Sequence, residues 1–269
     1  MARSARTGNQ PPGVTDAYGI QRNNRAEPMN WIERHIARVA GRHPLSPEEI
    51  AAIRSLPGEI RTMPARTTVI REGVKLNQST LLLDGLMCRS KTLRNGKRNV
   101  AELHVAGDFV DLHSFTLKRL DHDIETLAPC TIALVPHAAL EAAFAALPRL
   151  ARIYWFHNNL DAANHRETVL SLGQRSAVER VGAMFCELRV RLDLVGLVHD
   201  DSYALALTQT DLGDHLGLTP VHINRVLRQL RDQKLVTFRN GRVEIHDIVA
   251  LQALAGFDDR YLYLNPEPL

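Results

Sequence analysis

Apolar positions along this 269-residue chain change their period twice. Trp31, Ile32, His35, Ile36 and Val39 fall at helical spacing. Ser46, Pro47 and Glu49 then supply an N-cap, a proline at the first helical position and a carboxylate reaching back, which predicts a short helix to about Ser55. From residue 60 to about 136 the period shortens. β-prone runs at 67–70, 79–83, 86–93, 98–105, 124–127 and 131–135 alternate with turn signals, including Asn95-Gly96, the strongest short-range hairpin signal. Many short strands at this spacing predict an antiparallel barrel or jelly roll. Helix returns at 138–147 and, after Pro148, at about 149–172. There Ile153, Phe156, Leu160, Ala163, Glu167 and Leu170 repeat at alternating steps of three and four between polar flanks, so a homodimeric coiled-coil seam is expected.

Composition narrows the picture. The chain is 45% hydrophobic and 23% charged, an ordinary globular balance whose length suits two domains. The longest apolar runs, such as Leu81-Leu82-Leu83, are far too short to span a bilayer. The first 30 residues carry no apolar signal core, so the expected compartment is the cytoplasm. Cys88, Cys130 and Cys186 are odd in number and widely spaced, which excludes a disulfide framework and a Cys-x-x-Cys zinc site. The expected organisation is a disordered tail over 1–28, a jelly-roll sensor domain over 29–147 and a dimerisation helix over 148–172. A winged helix-turn-helix over 173–256 and a C-terminal tail over 257–269 complete it. The fold class is therefore α+β.

The stretch from Tyr203 to Ile245 carries the chemistry. Thr208 caps a helix, with Asp211 three residues on; Gly217-Leu218 turns the chain; Thr219 caps a second helix with Pro220 at its first position. Two capped helices joined by a tight Gly-containing turn make a helix-turn-helix. At about 100° per residue, Ile223, Val226, Leu227 and Leu230 share one side of the second helix. Val221, Arg225 and Arg228 share the other, with His222 and Asn224 at its margins. A hairpin follows with Arg239 and Arg242 flanking Asn240-Gly241, which reads as a wing. From Thr219 to Val243 there are six Lys/Arg against a single acid, although the whole chain is only +3. That focusing is what phosphate contact and major-groove docking require. The competing reading is a winged helix used for protein contacts.

The order of β-rich sensor, long helix and winged helix resembles the Crp/Fnr family of bacterial transcription regulators. The block LTQTDLGDHLGLTPVHINRVLRQL over 207–230 carries the resemblance, with Thr68-Val69-Ile70-Arg71-Glu72-Gly73 and Gly107-Asp108-Phe109 in the sensor. The resemblance implies a homodimer on a two-fold operator in double-stranded DNA, with RNA polymerase as a further partner. The expected DNA contacts are Thr208, Gln209 and Thr219 on phosphates, with Val221, His222, Asn224, Arg225, Arg228, Arg239 and Arg242. The expected effector pocket comprises Gly107, Asp108, Phe109, Asp111, Asp121 and His122. Departures from the family limit the rest. The Arg-Ser pair that holds a cyclic phosphate is replaced by Leu120-Asp121-His122-Asp123, so no cyclic-AMP response is expected, although Lys118 and Arg119 stand close by. With no cysteine before Cys88, no iron–sulfur cluster is expected. The family's Arg-Glu at the start of the recognition helix is Pro220-Val221 here, so the operator should differ.

His104, His113 and His122 with nearby aspartates match no compact metal motif, so neither a metal nor another cofactor is expected. No nucleophile elbow, P-loop or dinucleotide fingerprint occurs, and catalysis is not expected. The alternatives are a cyclic-nucleotide-, metal- or haem-responsive regulator, or a signal-binding protein acting through protein partners.

Overall fold

The computed structural model describes residues 29–268; the expected tail over 1–28 lies outside the described residues. Helices α1 (Met29–Ala40) and α2 (Pro47–Ser55) lead into strands β1 (Ile60–Met63), β2 (Thr68–Ile70), β3 (Gln78–Asp84), β4 (Leu86–Thr92) and β5 (Arg98–Val105). After a short helix α3 (Ser114–Leu117) come β6 (Asp123–Thr126), β7 (Cys130–Pro136), α4 (His137–Ala146) and the long α5 (Pro148–Gln174). The C-terminal module is α6 (Ala177–Asp193), β8 (Ser202–Ala204), α7 (Gln209–Leu216), α8 (Pro220–Asp232), β9 (Val236–Arg239), β10 (Arg242–Ile245) and α9 (Ile248–Ala255). A 3-10 turn at Asp259–Leu262 closes it.

Two antiparallel sheets, ordered β1-β7-β3 and β2-β6-β4-β5, build the roll. The central strands β3 and β7 are buried on both faces. Leu82, Ile132 and Leu134 point inward to Met87, Val110 and Ile124, while Leu81, Leu83, Ala133 and Val135 point outward to α1, α2, α4 and α5. Burial on both sides explains why these strands read as continuous apolar runs without alternation. The capping box expected at α2 is present: the Glu49 amide donates to Ser46 Oγ at 3.2 Å and the Ser46 amide to Glu49 Oε2 at 2.9 Å.

The third core cluster crosses from one module to the other. Leu86, Cys88, Val100, Leu103 and Leu127 of the roll join Phe185, Leu188, Tyr203, Leu212, Ile223 and Leu230 of the C-terminal module. Residues after 256, read from sequence as a tail, fold back onto the molecule. Leu262 is buried, its carbonyl accepts from Arg42 Nε at 3.0 Å, and the Tyr261 hydroxyl donates to Glu187 at 2.8 Å.

Candidate nucleic-acid interface

The helix-turn-helix is assembled by local signals. Thr208 Oγ1 accepts from the Asp211 amide and the Asp211 carboxylate accepts from the Thr208 amide, closing a box around the first turn of α7. Gly217 ends α7 at φ 66°, a left-handed conformation that glycine adopts without strain. Thr219 then caps α8 by accepting from the His222 amide at 3.3 Å. A second glycine sets how closely the turn packs: a Cβ at Gly213 would lie 2.5 Å from the Leu218 carbonyl oxygen.

Helix α8 buries Ile223, Val226 and Leu230 and leaves Val221, His222, Asn224, Arg225 and Arg228 exposed, as the angular pattern requires. Val221 is 78% exposed, unusual for an apolar residue with no covering neighbour. Arg225, Arg239 and Arg242 make no ion pair among the described residues, whereas Arg228 approaches Asp232 at 3.7 Å. The β9–β10 hairpin turns at Asn240 (φ 52°) and Gly241 (φ 70°), the primed geometry that suits strand twist. Strand β8 completes the wing sheet in the order β8-β10-β9. Two expected contact residues are paired with each other: Gln209 Nε2 donates to Asn224 Oδ1 and Asn224 Nδ2 to Gln209 Oε1, each at 2.6 Å. That double amide bridge ties α7 to α8.

The roll grips α7 through its own polar groups, which local sequence reading had no signal to find. Arg66, in the β1–β2 turn, forks onto both oxygens of Asp211, the same carboxylate that caps α7. Arg98 reaches Asp214 at 3.0 Å and Glu125 at 2.5 Å, and His215 Nδ1 donates to the Val100 carbonyl at 2.9 Å. Farther in, Asp108 lies 2.8 Å from Arg38 of α1 and 2.8 Å from Arg191 of α6. Burial alone would raise the Asp108 carboxyl, but Arg38 and Arg191 hold it far below the usual carboxylate range.

Most of the residues expected to form the α5 seam are buried or half-buried against their own chain. Ile153, Leu160 and Ala163 are buried within the same chain, where α5 crosses the helical layer, β5 and the C-terminal turn. Phe156 lies between the rings of His43 and Tyr263, and Glu167 pairs with Arg175 at 2.7 Å. Of the expected seam residues only Leu170 is exposed. The stripe left open runs through Arg152, Trp155, Asn159, Ala162, Arg166 and Val169, again at steps of three and four, with Trp155 68% and Val169 71% exposed.

The expected effector residues do not converge on one pocket. Gly107, Asp108 and Phe109 line a cavity against α1 and α5. Asp111 is wholly buried and accepts from the Thr80 amide at 2.5 Å. Asp121 is a surface residue bridging Lys91 and His122. His122 instead packs against His113, ring centroids 5.3 Å apart and tilted by 40°. Arg89 is the buried guanidinium nearest this region, and its groups are engaged: Nε on the Val110 carbonyl, Nη1 on Glu102 at 2.6 Å and Nη2 on Asp161 at 3.0 Å. Among the described residues no group of three or more His, Cys, Asp or Glu is placed to hold a metal ion.

Comparison with known proteins agrees with this geometry. A family model for the Crp-like helix-turn-helix domain matches residues 179–254, and one for the cyclic nucleotide-binding domain matches residues 60–146. The chain is 27% identical to the nitrogen fixation regulation protein FixK of Azorhizobium caulinodans, over 65% of this chain and 70% of that protein. It is 22% identical to the fumarate and nitrate reduction regulatory protein of Vibrio cholerae, over 70% of this chain and 75% of that one. The solved structure of FixK2 from Bradyrhizobium japonicum shares the fold at TM-score 0.67 and 23% identity, covering 73% of this chain and 96% of that one. With a cyclic-nucleotide-binding-type roll, a Crp-like helix-turn-helix and relatives that are regulators, the chain belongs to the Crp/Fnr family and is a transcription regulator.

Proposed function

We propose that the protein works as a homodimer that binds a two-fold operator in the cytoplasm and acts there with RNA polymerase. The observation that carries this reading is the outer side of α8, where Arg225 stands exposed and without an ion pair among the described residues beside the unusually bare Val221. Arg225 suits a bidentate contact to guanine, and Val221 suits a thymine methyl group. Thr208, Gln209, Thr219 and the wing residues Arg239 and Arg242 surround them as phosphate contacts. The open α5 stripe serves as the seam: Trp155, Ala162 and Val169 supply its apolar positions, and Asn159 is a polar one that fixes register.

The sensor responds to something other than cyclic AMP. Arg89 is spent on Glu102 and Asp161, Lys118 sits over the Phe115 ring at 5.0 Å, and Arg119 donates to the Gly73 carbonyl at 2.6 Å. The buried guanidinium of the three, Arg89, is thus not free for a cyclic phosphate. Burial pushes the Cys88 and Cys186 thiols up to about 12, which supports structural roles and not cluster ligation.

The test is fluorescence anisotropy on promoter fragments. Arg225→Ala is expected to weaken specific binding by about 1–3 kcal/mol and to relax discrimination at one base position. Unchanged operator affinity would favour a winged helix used for protein contacts.

A further inference from the structure

Gly256 ends α9 in the left-handed region, at φ 53°, and the chain then leaves the module it belongs to. The 3-10 turn at Asp259–Leu262 packs on α5, and Leu262 is 1% exposed there. Its carbonyl accepts from Nε of Arg42, two residues past the end of α1, at 3.0 Å. Tyr263 sets its ring edge-on to Phe156 of α5, centroids 6.0 Å apart, and Phe156 meets the His43 ring in the same manner at 4.6 Å. Helix α1 and the 3-10 turn both lie outside the stretches matched as domains, 60–146 and 179–254. The junction therefore belongs to neither domain fold by itself.

Tyr261 links the turn to a chain of polar contacts that returns to α1. Its hydroxyl donates to Glu187 at 2.8 Å, and Glu187 accepts from Arg191 at 2.8 Å. Arg191 and Arg38 of α1 then share Asp108, each at 2.8 Å. Beside this chain Leu194, at the end of α6, packs so closely on Gly41 that an added Cβ would lie 3.1 Å from Leu194 Cδ2. The seated turn also carries a cost. Arg42 is 5% exposed; its Nη1 reaches the Arg38 carbonyl at 3.3 Å, but its Nη2 is buried without a hydrogen-bond partner, as is Nε2 of His43. Burial, then Arg38, push Arg42 down to about 9. Seating the turn gains the burial of Leu262, whereas opening it returns water to Arg42 and His43, so the two effects oppose each other.

We propose that this C-terminal turn is a latch that sets the angle of the DNA-reading module on the sensor. Domains joined by a short linker move relative to one another unless an interface holds them, and the linker here is Arg175-Ser176 between α5 and α6. With the latch seated, both recognition helices of a dimer are oriented before DNA arrives, so the cost of orienting them does not fall on binding. With it released, each module still reads DNA but no longer at a set separation from its partner. Leu262, Arg42 and Tyr261 are thus positioning residues, and none is among the expected DNA contacts. The effect on spacing rests on the homodimeric operator reading above; the latch itself does not.

The experiment compares the full-length protein with Leu262→Ala and Arg42→Gln. Arg260→Gln is the control, an exposed residue of the same turn that pairs locally with Asp258. By hydrogen-exchange mass spectrometry, the amides of residues 194–197, where α6 ends against Gly41, should exchange at least tenfold faster in both latch variants. By fluorescence anisotropy, affinity for a promoter fragment carrying the two-fold site should fall at least tenfold, while affinity for a single half-site stays within twofold of the parent. Arg260→Gln should match the parent in both measurements. Arg42→Gln leaves the apolar contacts of Leu262 in place, so it decides the matter if Leu262→Ala fails to fold. The proposal is overturned if exchange at 194–197 in a folded latch variant matches the parent. It is equally overturned if half-site binding falls as far as two-fold binding, since the turn would then belong to the reader's own fold. A parent with no preference for the two-fold fragment would refute the homodimeric reading, and exchange alone would then decide the latch.

Discussion

Asp111 is fully buried beside the Thr80 amide, and burial pushes its carboxyl up to about 7, with Thr80 and Arg89 pulling the other way. In the unfolded chain the same group ionises near pH 4. Between about pH 4 and about pH 7 the unfolded state therefore sheds this proton while the folded state keeps it. Stability falls as pH rises through that window and levels off above it. Asp111→Asn keeps an acceptor for Thr80 and cannot ionise. Denaturation across pH should show a slope shallower by up to about 1.4 kcal/mol per pH unit in that window, and a higher midpoint at pH 8. An unchanged slope would mean that Asp111 is ionised in the folded protein. Gly213 makes a different demand, for space: a methyl group there meets the Leu218 carbonyl at 2.5 Å. Gly213→Ala should destabilise the chain by roughly 1–3 kcal/mol in urea and weaken DNA binding, because α7 and α8 must separate.

Among the elements, those with local signals were legible in the sequence. The α2 box, the caps of α7 and α8 and the Asn240-Gly241 wing turn depend on residues within four positions of one another, so spacing alone reveals them. Helix α5 was legible in period and not in face. Apolar residues at steps of three and four mark a buried stripe, but the same pattern serves burial against a partner or against the chain's own core. Here Ile153, Leu160 and Ala163 cover the chain itself, and the face left outside is a mixed stripe with arginines at 152 and 166. Substitution separates the two stripes. Trp155→Asp should leave circular dichroism intact and weaken the dimer at least tenfold in sedimentation, since Trp155 is 68% exposed in a single chain. Leu160→Asp should unfold the chain, because it buries a charge without a partner. If Trp155→Asp sediments as the parent does, the seam lies elsewhere.

Over the whole molecule, two kinds of contact join sensor and DNA reader. An apolar cluster runs from Leu86 and Leu103 through to Phe185 and Ile223, and a set of ion pairs spans it: Arg66–Asp211, Arg98–Asp214 and Arg191–Asp108. Each pair links residues more than 80 positions apart, which is why no sequence window contained them. Asp211 shows how closely the modules are joined, since one carboxylate both caps α7 and accepts the fork of Arg66. The turn that carries Arg66 is thereby fastened to the first turn of α7. The central claim is that two copies of α8 present their cationic sides to one face of a duplex. Hydroxyl-radical footprinting on a bound promoter fragment tests it most directly. Two protected patches centred about 34 Å apart along the duplex, one helical turn, are expected. A single patch that never doubles as protein concentration rises would contradict it.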